Sequence, residues 1–262
     1  MLKLSAFFKT LLFLLLITSI GCHQPEEDCN CDDEDATLYT DSLVVNKDTL
    51  SSKEILFKPC QLANQLKEAG LVNIQDSIPL IRVELKYSTT DNFMQADVYG
   101  CLDSCYLQPD VTVKLKKAFK YLRKKEPNYT LLVYDGVRPR SVQQIMWDTL
   151  KMPFAEKVKF VSNPKNGSLH NFGAAVDITI FDNLANKPLD MGTPYDYIGE
   201  LAWPTKEGTL LKEGKLSQEI VENRTLLRQV MRHAGFFNIQ TEWWHFNSCK
   251  RQVAKEKYSI VE

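Results

Sequence analysis

The first 35 residues contain an apolar run and an acidic run, and we expect neither to belong to the folded domain. The fold is therefore confined to the chain that follows. Residues 11–17 are an unbroken apolar run, and seven of the ten residues from 26 to 35 are Asp or Glu. The apolar run is shorter than the about 20 residues that a membrane-spanning helix needs. The acidic run repels itself and has no apolar surface to bury, which predicts a solvated tether.

The leader, residues 1–21, is typical of a cleaved secretory signal. Lys3 and Lys9 precede the apolar run, and small residues stand directly before Cys22. Residues 19–22 resemble a bacterial lipoprotein box, so we expect lipidation of Cys22. Because more than one acyl chain gives stable anchoring, the prediction is an exported, membrane-anchored lipoprotein on the periplasmic or cell-surface side. The alternative is an ordinary export signal with Cys22 inside it.

Charge and composition describe an ordinary globular protein. Cleavage after residue 21 removes two Lys and no acid, which leaves 30 basic against 33 acidic residues and a net charge of −3. The chain has no net positive charge that would attract the phosphate backbone of a nucleic acid, so nucleic acid is not an expected partner. Cys29 and Cys31 in the acidic run could capture a metal, but no second cysteine pair at zinc-site spacing follows. We predict an acidic tether and extension over residues 22–65 and one catalytic domain over residues 66–262.

The hydrophobic pattern of the folded part predicts an α+β fold. Helical and strand patterns follow one another without the regular alternation of a doubly wound sheet. The expected strands cover residues 81–87, 130–134, 176–180 and 236–244. The expected helices cover residues 111–126, 141–150, with Ser141 as the N-cap, and 224–233. Together they predict a single domain in which helices flank a small antiparallel sheet.

Four cysteines, at positions 60, 101, 105 and 249, lie in the folded part. Export to an oxidising compartment permits disulfides. Cys101 and Cys105 are close enough in sequence for a local disulfide, and a disulfide between Cys60 and Cys249 could link the two ends of the domain. Four cysteines allow three pairings, and free thiols are a further possibility, so the pairing stays open.

Two of the four His residues lie in contexts that also carry a carboxylate. Asp177 follows His170 by seven residues, and Glu242 precedes His245 by three. A hydrolytic zinc site needs three protein ligands of His or carboxylate type and one open position for water. His170, Asp177 and His245 supply that set, and Gly173 lets the loop between the first two turn. We predict one Zn²⁺ per chain, and Mn, Fe or Co are alternatives for the same ligands.

Glu242 is the predicted base, a carboxylate that takes a proton from metal-activated water. Positions i and i+3 of a regular strand face opposite sides, so Glu242 and His245 can reach one metal only if the strand ends, bends or bulges between them. Alone, His170 is explained as a loop hydrogen-bonding residue and Asp177 as a strand-end carboxylate. The combination of three ligands and a base favours a zinc hydrolase.

Two motifs carry a resemblance to a known family: S-x-H-x-x-G-x-A-x-D at 168–177 and E-x-W-H at 242–245. They resemble the zinc D,D-peptidases, the group related to lysostaphin and the hedgehog amino-terminal domain. Further segments resemble one branch of that group, the D-alanyl-D-alanine dipeptidases. These segments are KYSTTDNF at 86–93, DGVRP at 135–139, MGTPYD at 191–196, and NRTLLR at 223–228 with AGF at 234–236.

The resemblance implies roles for the catalytic residues. His170, Asp177 and His245 would bind zinc, and Glu242 would act as general base and general acid. Arg138 would take the oxyanion role, because a guanidinium can stabilise charge that develops on a carbonyl oxygen. From the residue alone, a surface salt bridge is the simpler interpretation of Arg138.

The resemblance also implies a substrate pocket. Asp196 would meet the free ammonium of a dipeptide, and a longer peptide would leave that carboxylate unpaired. Tyr87 and Ser168 match family positions that line the pocket. Taken alone, Tyr87 could be a core residue and Ser168 a turn residue.

The leading prediction is an exported zinc-dependent D-Ala-D-Ala dipeptidase, a metallopeptidase that acts in peptidoglycan turnover or dipeptide scavenging. The leader and the acidic extension are absent from the cytoplasmic resistance enzyme of the family, so the expected substrate is a dipeptide met outside the cytoplasm. Two alternatives stay open. One is a D,D- or L,D-carboxypeptidase that trims longer wall peptides, and the other is a wall-binding module that holds zinc without turnover. The oligomeric state is unknown.

Overall fold

The computed structural model describes residues 60–158 and 160–262. The predicted signal peptide, Cys22 and the acidic run lie outside the described residues. Within them, no helix combines the length and apolar character needed to cross a membrane.

Short strands and helices of mixed length follow one another along the described chain. The strands are β1 Val72–Asn73, β2 Arg82–Val83, β3 Tyr106–Leu107, β4 Tyr129–Asp135, β5 Ala175–Asp182, β6 Lys187–Pro188, β7 Phe237–Asn238 and β8 His245–Asn247. The α-helices are α1 Gln61–Glu68, α2 Ile74–Ser77, α3 Pro109–Lys125, α4 Arg140–Thr149, α5 Phe154–Lys157, α6 Glu207–Lys212, α7 Gln218–His233 and α8 Arg251–Lys257.

The main sheet has the strand order β2-β4-β5-β8-β7, and β6 pairs with the C-terminal end of β5. The predicted α+β domain with a small sheet flanked by helices is confirmed. The sheet departs from the prediction at one pair, because β2 and β4 are parallel whereas the others are antiparallel. The chain between β2 and β4 includes the 17-residue helix α3, which is long enough for the crossover that parallel strands require.

Helix α3 packs against strand β4 and helix α7. Its buried side includes Leu115, Ala118 and Leu122, at the spacing of one helical face. Val113 is apolar but 68% exposed, so it does not belong to this buried face. The helix begins at Pro109, a residue suited to the first turn because its missing N–H has no partner there.

The starts of α4 and α7 differ from the predicted ones. Helix α4 begins at Arg140, with Pro139 as its N-cap and no capping side chain, so the prediction of Ser141 as the cap was wrong. Helix α7 begins at Gln218, where the Ser217 hydroxyl accepts a hydrogen bond from the Ile220 N–H at 3.2 Å. This capped start extends the helix six residues before the predicted one at residue 224.

Two predicted strands are broken in the structure. In residues 81–87, Ile81, Leu85 and Tyr87 are buried as the alternation predicts, but only Arg82–Val83 pairs and Lys86–Ser88 form a 3₁₀ turn. In residues 236–244, only the pair in β7 belongs to the sheet, and the next strand starts at His245. The second break separates Glu242 from strand β8.

A disulfide joins Cys60 to Cys101 across 41 residues, and Cys105 and Cys249 are free. Neither pair considered from the sequence forms. Cys105 is buried directly before β3 and packs against Gly136, where an added Cβ would lie 2.4 Å from its sulfur. Cys101 is exposed, and its disulfide partner Cys60 directly precedes helix α1.

Candidate active site

Three neighbouring strands bring their polar residues into one row. Asp135 on β4 pairs with Asp177 on β5, and Asp177 pairs with His245 on β8. Directly opposed residues of antiparallel strands point their side chains to the same face. The register shift of β4 between Val133 and Asp135 fits the bulges that often lie beside active sites.

The loop before β5 adds His170 to this row. His170 starts a 3₁₀ turn that ends at Gly173, whose φ of 63° lies in the left-handed region. A Cβ at Gly173 would lie 2.5 Å from Leu71, so both backbone conformation and space require glycine here. This turn reverses the chain and lets His170 and Asp177 face one another.

His170, Asp177 and His245 converge on one point, and their ligand atoms all lie within 4.8 Å of one another. His170 Nε2 is 3.3 Å from Asp177 Oδ1 and 3.1 Å from His245 Nδ1. His245 Nδ1 is 3.0 Å from the same Asp177 oxygen. Two nitrogens and one oxygen of this kind form the donor set of a catalytic zinc site with an open position.

Neighbouring oxygens select the histidine tautomers. His170 Nδ1 donates to the carbonyl oxygen of Gly136 at 2.7 Å, since a carbonyl can only accept. His245 Nε2 donates to Asn247 Oδ1 at 2.9 Å. The second nitrogen of each ring faces Asp177, and it can bind a metal ion when it is unprotonated.

Asp177 is buried and ionised. Its Oδ2 accepts a hydrogen bond from the Tyr195 hydroxyl at 2.8 Å. Burial opposes ionisation, but the His170 and His245 rings hold the pKa of Asp177 well below its usual range. The carboxylate thus presents Oδ1 to the two histidines while Tyr195 holds the other oxygen.

Glu242 lies in the irregular segment before β8, not on the strand. This break meets the condition that the sequence spacing imposed, and Glu242 Oε2 lies 3.9 Å from His245 Nδ1. Burial, together with the charges of Asp177 and Asp196, raises the pKa of Glu242 to about 8, although His245 opposes the rise. Such a carboxyl group exchanges protons near neutral pH.

Arg138 is buried and held by two side chains. Its Nε and Nη2 donate to Asp135 Oδ2 at 2.9 and 2.6 Å, and its Nη1 donates to Gln143 Oε1 at 3.1 Å. Asp135 is fully buried and also accepts from the Tyr99 hydroxyl at 2.7 Å. The guanidinium has five N–H donors, and Nη2 also lies 3.5 Å from Asp177 Oδ2, so one Nη1 N–H remains for another acceptor.

Asp196 is half-buried, and one of its carboxylate oxygens is buried without a partner in the described part of the chain. Tyr87 donates to its Oδ1 at 3.0 Å, whereas its Oδ2 has no hydrogen-bond partner among the described residues. Burial and the nearby charge of Asp177 raise the pKa of Asp196 to about 7. Burial keeps the pKa of Tyr87 well above its usual value, so its hydroxyl stays a donor.

All eight residues that the sequence and the resemblance selected in the domain line one cavity. Ser168 is buried at its wall, and its hydroxyl accepts from the His170 N–H at 3.3 Å. The structure thus brings together the three ligand residues, Glu242, Arg138, Asp196, Tyr87 and Ser168. Their individual roles remain predictions.

Sequence reasoning missed the residues that orient this set. Asp135 and Gly136 stand in the quoted DGVRP segment and Tyr195 directly precedes Asp196, so their position beside selected residues was a usable signal. Asn247 follows His245 by two residues on β8 and had the same signal. Tyr99 had none, because its contact with Asp135 bridges 36 residues.

Two histidines and one aspartate around a common point, with a free carboxyl beside them, place the protein among the metal-dependent hydrolases. Residues 67–261 match the Peptidase_M15 family, described as D-ala-D-ala dipeptidase. The chain belongs to this family of metallopeptidases, and the resemblance inferred from the motifs is confirmed.

Curated relatives agree with the family. The chain is 30% identical to the D-alanyl-D-alanine dipeptidase of Escherichia coli over 176 residues, which are 67% of this chain and 83% of that protein. It is 25% identical to the D-alanyl-D-alanine dipeptidase of Enterococcus faecalis over 193 residues, 68% of this chain and 91% of that protein. Among solved structures it is similar to the vancomycin-resistance D,D-pentapeptidase VanY in complex with Zn(II), with 16% identity, coverage of 59% of this chain and 79% of that one, and a TM-score of 0.35.

Proposed function

We propose that the protein is an exported zinc dipeptidase that hydrolyses D-Ala-D-Ala or a similar short dipeptide. Family membership and the names of its relatives support the substrate class. The observation that carries the dipeptide assignment is the unpaired, buried Oδ2 of Asp196. A buried oxygen without a partner is costly, and the ammonium of a free amino terminus would satisfy it.

His170, Asp177 and His245 would hold the zinc ion. When bound, zinc supplies Lewis acidity, which lowers the pKa of water and polarises the scissile carbonyl. His170 Nε2 and His245 Nδ1 face each other 3.1 Å apart beside a carboxylate. A divalent ion held by both nitrogens and Asp177 would satisfy all three groups, so the donor set fits a divalent ion.

Glu242 is the proton carrier of the proposed reaction. It lies beside the ligand set without belonging to it, 3.9 Å from His245 Nδ1. Its carboxylate would accept a proton from the attacking water and pass it to the leaving amine. A positioned general base of this kind contributes about 100-fold to 10,000-fold in rate.

Arg138 stabilises the charge that develops on the carbonyl oxygen. Asp135 and Gln143 take three of its donors and fix the plane of the guanidinium. The remaining Nη1 N–H can donate to an oxyanion while these partners hold the guanidinium in place, which is the requirement for electrostatic stabilisation.

The cavity suits a small substrate. Its volume of about 240 Å³ is just below the about 300 to 1,000 Å³ of pockets for drug-sized ligands. Asp196 at its wall selects a free amino terminus, because an acylated one would leave the carboxylate unpaired.

The leader sequence supports export and lipidation at Cys22. An exported dipeptidase meets dipeptides released from peptidoglycan or present in the surroundings. We therefore assign the protein to wall turnover or dipeptide scavenging. Mass spectrometry of the membrane fraction tests the anchor, and an unmodified Cys22 in the mature protein would contradict it.

Release of D-Ala from D-Ala-D-Ala and from its N-acetylated form tests the substrate assignment. The zinc-loaded wild-type protein should cleave the free dipeptide and leave the acetylated one intact. Equal cleavage of both would indicate a carboxypeptidase. No cleavage of either, with zinc bound, would indicate a binding module.

A further inference from the structure

The cavity contains a cation that the proposed reaction does not use. Arg251, the first residue of α8, lines the same cavity as the metal ligands. Its side chain is exposed and forms no hydrogen bond or ion pair with any described residue. Arg138 is the other arginine of the cavity wall, and Asp135 and Gln143 already engage it.

The backbone that presents Arg251 is firmly held. The Ser248 N–H and hydroxyl both donate to the Ala174 carbonyl, at 2.9 and 2.7 Å, and Lys114 donates to the Ser248 carbonyl at 2.7 Å. Ala254 of α8 is fully buried. The turn after β8 therefore fixes the Arg251 backbone at the cavity wall while its guanidinium stays free.

Helix α8 itself gains nothing from a cation at this position. Its first turn contains no acidic residue, and a positive charge at a helix N-terminus interacts unfavourably with the exposed N–H groups. The charge of Arg251 is thus left without a structural explanation among the described residues.

Asp196 and Arg251 are connected to different parts of the sheet. Asp196 is bonded to Tyr87, which follows β2 at one edge of the sheet. Arg251 follows β8, which lies beyond β5 in the strand order. Asp177 on β5 lies between these two parts of the sheet.

A free dipeptide carries a charge at each end, with the scissile bond between them. Asp196 supplies a partner for the ammonium. We propose that Arg251 binds the carboxylate of the carboxyl-terminal residue and thereby helps to select dipeptides with a free carboxyl end. This inference rests on the proposed function, because it uses the same substrate in the same cavity.

Binding measurements in a Glu242→Gln background separate recognition from turnover. Calorimetry would compare D-Ala-D-Ala with its carboxamide, for zinc-loaded Glu242→Gln and for the same chain with Arg251→Gln added. Lys255→Gln is the matched control, since Lys255 is an exposed cation of the same helix outside the cavity wall. We expect Arg251→Gln to weaken binding of the free acid about tenfold or more, as for loss of a hydrogen bond to a charged group. The carboxamide should bind both chains equally, and Lys255→Gln should change neither affinity.

Two results would overturn the inference, and they differ in what else they overturn. If Arg251→Gln binds the free acid as tightly as its parent, the assignment of Arg251 fails and the proposed function stands. If the parent binds neither compound while it holds zinc, the proposed function fails and this inference with it.

Discussion

The Tyr195 hydroxyl donates to Asp177 Oδ2 at 2.8 Å and leaves Oδ1 of the same carboxylate facing the two histidines. Tyr195 directly precedes Asp196, so one short segment orients a metal ligand and also carries the proposed ammonium partner. The proposed metal site and the proposed ammonium-binding residue are therefore linked through two consecutive residues.

Tyr195→Phe should weaken zinc binding about 10-fold to 100-fold, the usual effect of removing a hydrogen bond to a metal ligand. The ring would remain in place against Tyr134 and Trp244, so folding should be retained. Competition with a zinc chelator measures the affinity. Tyr121→Phe, far from the cavity on α3, is the control, and an unchanged affinity in Tyr195→Phe would contradict this role.

Substrate binding should depend on pH through Asp196. Its pKa is raised to about 7 by burial, and a carboxyl group loses its charge as the pH falls below its pKa. In zinc-loaded Glu242→Gln, we expect the affinity for D-Ala-D-Ala to fall as the pH is lowered from about 8 to about 6. Asp196→Asn should bind weakly with no such dependence, and a parallel pH profile in both chains would exclude Asp196 as its source.

The disulfide should contribute to stability by restricting the unfolded chain. Cys60 and Cys101 close a loop with a sequence separation of 41, for which the chain-entropy relation gives about 4 kcal/mol. Denaturant unfolding of Cys101→Ser should show a lower free energy of unfolding by about that amount. Cys249→Ser, which removes a free thiol, should have little effect, and equal losses in both variants would argue against the chain-entropy account.

Much of the fold was predictable because it depends on local patterns. Helix α3 and strands β4 and β5 lie within about two residues of their predicted bounds, since each has a clear apolar periodicity. The segment at 236–244 forms a strand only at Phe237–Asn238, because Trp243 and Trp244 are buried by tertiary packing without strand pairing. The parallel pairing of β2 and the Cys60–Cys101 link depend on contacts distant in sequence, which no local pattern reveals.

The reactive residues of the site were predictable from the sequence, but the groups that orient them were not. His170, Asp177, His245 and Glu242 are chemically distinctive and occur in motifs with defined spacing. The Gly136 carbonyl that orients His170 is a backbone group, so the DGVRP segment indicates its place near the site but no side chain reveals that role. Tyr99 acts through a contact to Asp135 that only the folded chain creates.

The most direct test of the account compares D-Ala release from D-Ala-D-Ala by the wild-type protein and by Glu242→Gln, both fully loaded with zinc. The change removes the proton acceptor and leaves the ligands His170, Asp177 and His245 in place. The account predicts a kcat lower by about 100-fold to 10,000-fold with an unchanged zinc content. Full activity of Glu242→Gln at equal zinc content would contradict it.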